Sequence, residues 1–221
     1  MRSIQKAFVA ASALVSLGFI GSGQANAAVT VLTFEGVADF DPVGGYYAPD
    51  YIFSPDTLAL VDSDAGGSGN FANEPSPNTI MFFTSTDNAI LNVTNGFSTG
   101  FSFFYTSATA ANVNVWSGLN ATGSLLGTIA LTPQYDTGCA GDPNGSFCNW
   151  TNAGVTFAGT ASSIDFGGTD AGTTAFDDIT FGSAVAGVPE PSTWAMLLLG
   201  FGAVGGALRS GRKQKLTASF A

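Results

Sequence analysis

The sequence predicts an all-β protein, an antiparallel β-sandwich of the jelly-roll type, carried between an N-terminal signal helix and a single C-terminal transmembrane helix. Three observations carry this. Between residues 28 and 187 the apolar residues fall into ten short runs, at 29–34, 58–61, 79–84, 89–93, 100–106, 112–116, 125–131, 154–157, 162–166 and 174–181. The runs are separated by Gly, Asn, Asp and Ser, with turn dipeptides at Asn95-Gly96, Gly66-Gly67, Asn144-Gly145 and Ser117-Gly118, residues that tolerate positive φ or bond to their own backbone. No stretch of this region repeats convincingly with a helical period, and closely spaced strands without helices favour an antiparallel sandwich over a parallel α/β sheet. In the run 100–106, Phe101, Phe103 and Tyr105 share one face while Ser102, Phe104 and Thr106 share the other. Aromatic residues on both faces predict a central strand.

The two ends read as targeting segments. Arg2 and Lys6 precede the apolar stretch 7–21, and Ala25-Asn26-Ala27 follows with small residues at the spacing of a cleavage site. Residues 1–27 are therefore expected to be a secretory signal peptide, recognised by a Sec-type export machinery and cut between Ala27 and Ala28. The apolar stretch is too short for a first membrane span.

At the other end Val188-Pro189-Glu190-Pro191-Ser192-Thr193 is followed by the uncharged stretch 194–208 and then by Arg209, Arg212, Lys213 and Lys215. Two prolines two residues apart remove backbone donors and fix φ, so a helix can begin only after Pro191. With Ser192 and Thr193 the apolar stretch approaches the ~17 residues needed to span a bilayer. Trp194 suits the interface, and the cations beyond the span predict a cytoplasmic C-terminus. An amphipathic or core helix would show a polar face and would not explain four cations at one end.

The order of Pro189, Glu190 and Pro191, the span 194–208 and the basic tail 209–215 resembles the PEP-CTERM sorting signal of Gram-negative bacteria. Residues 216–221 run past the point where such signals usually stop. The resemblance implies a chain that is exported, held transiently in the inner membrane and processed near the Pro-Glu-Pro by an exosortase. It also implies a destination at the cell surface or in the extracellular polysaccharide matrix. The chain thus divides into a signal peptide (1–27), a domain (28–187) and a sorting signal (188–221).

Charge is distributed very unevenly. All six Lys and Arg lie in the two targeting segments, whereas every acidic residue except Glu190, fifteen of sixteen, lies in the domain, which also has no His. No side-chain salt bridge can form within the domain. A field of this sign repels nucleic acid, anionic lipid and acidic polysaccharide unless divalent cations intervene, so no nucleic-acid partner is expected. Carboxylates that lie close together must be protonated, hydrogen-bonded or held on a metal ion, and calcium suits oxygen ligands outside the cytoplasm.

The same inventory argues against catalysis. Without His or Lys the domain has no Ser–His or Ser–Lys nucleophile, no Schiff base and no His-bound metal. Asp136-Thr137-Gly138 matches the tripeptide of aspartic proteases, but it has no second copy and follows Pro133-Gln134-Tyr135 rather than an apolar strand, so it reads as a turn in a cysteine-closed loop. Asp62-Ser63-Asp64 and Gly66-Gly67-Ser68-Gly69 lack the remaining ligands of known calcium loops. Asn73 stands where an EF-hand places its bidentate Glu, and Phe71 where the RTX repeat places Asp, so these too read as loop. A carboxylate pair for glycoside hydrolysis is the one chemistry left open, with nothing to select the pair. Cys139 and Cys148 are the only cysteines, and in an exported chain they read as a disulfide.

A second resemblance rests on Thr33-Phe34-Glu35-Gly36, on Val115-Trp116-Ser117-Gly118-Leu119-Asn120-Ala121-Thr122-Gly123, and on Ala175-Phe176-Asp177-Asp178-Ile179-Thr180-Phe181-Gly182. These resemble the bodies of many PEP-CTERM surface proteins, which are similar to carbohydrate-binding jelly rolls. The resemblance implies that the first and last strands pair and that acidic residues near each terminus hold a structural calcium. Here those residues are Glu35, Asp177 and Asp178, with Asp39 or Asp41 and backbone carbonyls completing the shell. The candidate glycan contacts are Tyr46, Tyr47 and Tyr51 on the irregular segment 39–77, and Trp116, which alternation places opposite Val113 and Val115. The expected function is a non-enzymatic surface or matrix protein, adhesive and calcium-stabilised. A carbohydrate-binding module is the alternative, and a glycoside hydrolase the remaining one.

Overall fold

The computed structural model describes residues 29–85, 87–185 and 201. The signal peptide with its Ala27/Ala28 junction, the motif at 188–193 and the basic tail lie outside the described residues, as does the span 194–208 apart from Phe201. Among the described residues no helix is long and apolar enough to cross a membrane.

Eleven strands are present among the described residues: β1 (Thr30–Leu32), β2 (Tyr51–Phe53), β3 (Thr57–Val61), β4 (Thr79–Phe83), β5 (Ile90–Ser107), β6 (Ala111–Trp116), β7 (Leu125–Leu131), β8 (Thr137–Cys139), β9 (Asp142–Ser146), β10 (Thr151–Asp165) and β11 (Thr174–Phe181). Nine of them form one continuous sheet in the order β3-β4-β11-β5-β10-β6-β7, with β1 added to β11 and β2 to β5. Every pairing in it is antiparallel.

The sheet becomes a sandwich because its two longest strands turn a corner together. The second half of β5 pairs with β11 and with the start of β10, and its first half pairs with β2 and with the end of β10. The register between β5 and β10 slips between Thr156 and Thr160. At that point Gly96 (φ +65°), Thr99 (φ +75°) and Gly159 (φ +92°) take left-handed backbone conformations. A bend of this kind lets one ribbon pass from one layer into the other. The return is tight: a side chain at Gly127 of β7 would collide with Val155 of β10.

Between the layers lies a single aromatic core. Phe101, Phe103, Phe166 and Phe176 are fully buried together with Phe34, Leu91, Val113, Val115 and Ile164. Their rings meet mainly edge-on or tilted, as in Phe103–Phe176 (5.2 Å, 79°) and Phe166–Phe176 (4.8 Å, 67°), the geometry that the ring quadrupole favours. Phe101, Phe103 and Tyr105 share the inward face of β5, and β5 is central, as its alternation predicts.

Five sequence expectations are corrected. The runs at 89–93 and 100–106 are one strand, and so are those at 154–157 and 162–166. Asn95-Gly96 makes a bend inside a paired strand, because β10 continues alongside it. The turn between β8 and β9 falls at Ala140-Gly141, with Gly141 at φ +94°, so Asn144-Gly145 lies inside β9. Asp136-Thr137-Gly138 is not a turn within the loop: it leads into β8, which pairs with β9.

Two excursions cover the outer face of the β3-β4-β11 layer. Cys139 and Cys148 are bonded (S–S 2.01 Å) and close the hairpin β8–β9. That hairpin is tied to residues 70–73 by Ser146 N–H to Asn70 O (2.5 Å), Trp150 Nε1–H to Ala72 O (3.1 Å) and a Phe71–Trp150 ring contact.

Phe176→Ala removes a fully buried ring that touches Phe83, Phe103 and Phe166. It is expected to lower the free energy of unfolding by about 3–5 kcal/mol, measured by denaturant titration.

Candidate functional site at the seam of the first and last strands

β1 pairs with the end of β11, Thr30 opposite Phe181 and Leu32 opposite Ile179, so the first and last strands meet as expected. Just beyond β1 the chain turns sharply through Phe34 (φ +62°) and Gly36 (φ +90°). Buried Phe34 donates its N–H to Tyr47 Oη (2.8 Å), and Tyr46 Oη donates to Glu35 O (3.1 Å). Gly36 lies at φ +90°, which favours glycine. On β11 the register breaks between Asp177 and Thr180, with Asp178 at φ +48°. The segment 74–79 runs between these two bends.

This arrangement gives the three acidic residues different partners. Asp177, fully buried, accepts from Ser76 N–H at Oδ2 (2.8 Å), and at Oδ1 from Ser76 Oγ (2.7 Å) and from Asp178 N–H (2.7 Å). Glu35 Oε1 accepts from the amides of Asn78 (2.9 Å) and Thr79 (2.8 Å). Asp178 is half-buried, and its carboxylate receives no hydrogen bond. Burial and the nearby charge of Glu35 raise its pKa. Glu35 is thus near enough for its charge to act on Asp178, while Asp177 is held by Ser76.

Ser76 Oγ lies within reach of three acceptors, Thr33 O (3.0 Å), Glu35 Oε1 (3.4 Å) and Asp177 Oδ1 (2.7 Å), yet it has one proton to give. A proton on Asp177 removes the conflict, since that carboxyl can then donate to Ser76. Burial pushes the Asp177 pKa up to about 7, against the pull of the Ser76 hydrogen bonds. The Tyr47 hydroxyl is likewise pushed up to about 12, mainly by burial, with Asp177 and Glu35 adding to the effect.

The remaining predicted site residues are dispersed. Burial pushes Asp39 up, but hydrogen bonds from Ser68 and from the Val61 amide (2.9 Å) outweigh it and leave its pKa lowered. Asp41 is exposed. Tyr47 packs against the core, and Tyr51 stacks on Phe181 (4.8 Å). Tyr46 alone of the three tyrosines presents an exposed ring, at 52%. Trp116 lies in the other layer, on the face opposite buried Val113 and Val115. Among the described residues no group of three or more acidic or sulfur side chains is placed to hold a metal ion.

Two clefts were not foreseen. Asp62, Asp64, Glu74 and Asp142 line a polar cleft of about 380 Å³ between the 62–77 excursion and the β8–β9 turn. Burial, and to a lesser extent Asp62, pushes the Glu74 carboxyl up to about 7. A smaller cleft of about 110 Å³ is lined by Leu60, Phe71, Ile80, Phe82 and Phe147 with Asn70 and Thr173. Each joins segments far apart in the chain, and no local spacing announces either.

At the C-terminal end, residues 187–213 match the model of the PEP-CTERM protein-sorting motif. The chain carries a PEP-CTERM sorting signal. No curated protein matches the sequence. Among solved structures, CsCBM6-3 from Clostridium stercorarium, in complex with cellobiose, is similar over 66% of this chain and 97% of its own, at 17% identity and a TM-score of 0.36. The PEP-CTERM signal follows the sandwich directly, since β11 ends at Phe181.

A carboxyl with a raised folded pKa holds its proton longer in the native state, so stability is greatest below the unfolded value and is lost as pH rises through the folded one. For Asp177 that window runs from 3.8 to about 7. The melting temperature is expected to fall across this range, and Asp177→Asn to flatten the fall; an unchanged slope in the variant would refute the assignment.

Proposed function

We propose that this chain is an exported, non-catalytic surface or extracellular-matrix protein, in which the acidic sandwich is the delivered cargo and the PEP-CTERM segment its address. The PEP-CTERM match at 187–213 carries this reading. The absence of His, Lys and Arg from the domain supports the non-catalytic part. In a Gram-negative host with an exosortase, the wild-type chain should be recovered outside the inner membrane without its basic tail, by mass spectrometry. A variant with Pro189→Ala and Glu190→Ala should stay full-length in the inner membrane. Identical processing and location of the two would sink the reading.

Calcium enters as part of this proposal. Glu35 and Asp178 are both half-buried, the charge of Glu35 acts on Asp178, and the domain has no positive side chain to offset them; a divalent cation would supply that charge, with backbone carbonyls and water as the further oxygens. After chelation, the full chain in detergent should gain melting temperature with added calcium, by the equivalent of about 2.7 kcal/mol at a hundredfold excess over Kd. Glu35→Gln or Asp178→Asn should remove the gain; a calcium-independent melting temperature would refute the site.

The second reading is neutral-glycan binding, favoured by the cleft in which Phe82 and Phe147 stand beside Asn70 and Thr173, since sugars are held by ring faces together with amide and hydroxyl groups. A glycan array with Phe82→Ala, Tyr46→Ala and Trp116→Ala separates this cleft from the exposed tyrosine and from the tryptophan face. Binding lost in none of the three would dismiss all of these platforms.

A further inference from the structure

The sheet has two ends, and they are treated differently. At the β3 end, residues 39–42 cover the outer edge: Phe40 N–H donates to Ala59 O (3.0 Å), Ala59 N–H to Asp41 O (3.0 Å), and Pro42 bridges Leu58. At the β7 end, Leu125–Leu131 pairs with β6 on one side only, and no described residue bonds to its other edge. Such a row of unmet backbone donors and acceptors is a template for another strand, and proteins usually blunt it with charge, proline or a covering loop. Leu-Leu-Gly-Thr-Ile-Ala-Leu has neither charge nor proline. Leu125, Thr128 and Ala130 are exposed.

The charge map selects the occupant. No charged residue occurs between Asp87 and Asp136, so β5, β6 and β7 are uncharged throughout. The fifteen carboxylates lie on the remainder of the domain, where copies of this chain repel one another. The β6–β7 margin is where two copies can approach without that cost.

We infer that the free edge of β7 pairs with β7 of a second copy of this chain, antiparallel across a two-fold axis at Thr128. A two-fold contact uses the same patch twice, and this register sets Thr128 against Thr128 and Leu125 against Leu131. Hydrogen bonds along the edge and burial of exposed Leu125 hold the contact. Because the rest of each copy is acidic, the dimer strengthens as salt screens the repulsion, opposite to a contact held by ion pairs.

The test uses the full chain in detergent, with its mass followed by sedimentation against protein concentration and salt. A dimer whose fraction rises with salt is expected. Thr128→Glu, which brings two carboxylates together at the axis, should weaken it at least tenfold while leaving the melting temperature near that of the wild type. If that variant fails to fold, Ala130→Asp places the charge at a neighbouring exposed position. Thr128→Cys should give a disulfide-linked dimer in the exported protein, and Ala171→Cys, exposed on a distant loop, should not. A monomer at all concentrations, a dimer indifferent to these edge charges, or one dissolved by salt would overturn the inference.

Discussion

The domain contains no positive side chain, and much of its local structure answers that one constraint. A carboxylate that turns inward cannot be neutralised by Lys, Arg or His, so it must find neutral donors. Asp177 is met by an amide and a hydroxyl from Ser76, Glu35 by two successive amides, Asp39 by the Val61 amide, and Asp62 by the Asp64 amide (3.1 Å). Each of these bonds ties a stretch of irregular chain to a strand or to its own turn. Within the segment 39–77, three of these acidic contacts fix backbone that the strand pairings of β2 and β3 leave over, at Val61, Asp64 and Ser76. Where burial outweighs the donors the pKa rises, to about 7 at both Asp177 and Glu74.

The same constraint explains how the acids are distributed. With no cation to offset them, they cannot be mixed into the long strands that form both layers. β5 carries no charge, and β10 has only Asp165 at its end. β5 supplies much of the aromatic core and the two strands together form the corner, and a charge on their inward faces would have to be buried unpaired. The acids therefore gather on the excursions and at the seam of β1 and β11.

Legibility in the sequence followed the balance between local and long-range causes. β7 and β11 appear at the bounds that the apolar runs mark, 125–131 and 174–181, because each run is closed by residues that favour turns, Ser124 and Pro133 around β7 and Gly182 after β11. β5 and β10 each read as two strands because Asn95-Gly96 in the one and Gly159 in the other interrupt the apolar run locally, and only the partner running alongside keeps the chain extended. β2, β8 and β9 were not foreseen, being short and lacking alternation. At the seam, the acidic residues near each terminus were legible through a resemblance, but Ser76 was not. Its meaning depends on a contact across 101 residues with Asp177, and a serine before a proline in an irregular segment gives no local sign of it. Tyr47 and Tyr51 sit on an irregular segment that reads as surface, yet Tyr47 packs on the core and Tyr51 stacks on Phe181, both half-buried.

The exit of the chain from the sandwich has a mechanical consequence. β11 lies between β4 and β1 on one side and β5 on the other. Beyond it, Gly182 N–H donates to Gly100 O (3.0 Å), Ser102 Oγ donates to Ser183 O (3.1 Å), and the chain at Ala184 crosses Gly100 and Gly154 so closely that neither position has room for a Cβ. Tension applied through a C-terminal tether would enter at this strap and load a strand bonded along both edges. Such a strand cannot be peeled away one bond at a time, so many bonds on two sides must yield together. Were the chain pulled between a C-terminal tether and its body, with the force along β11, that strand would be loaded in shear, where a β-sheet resists force best.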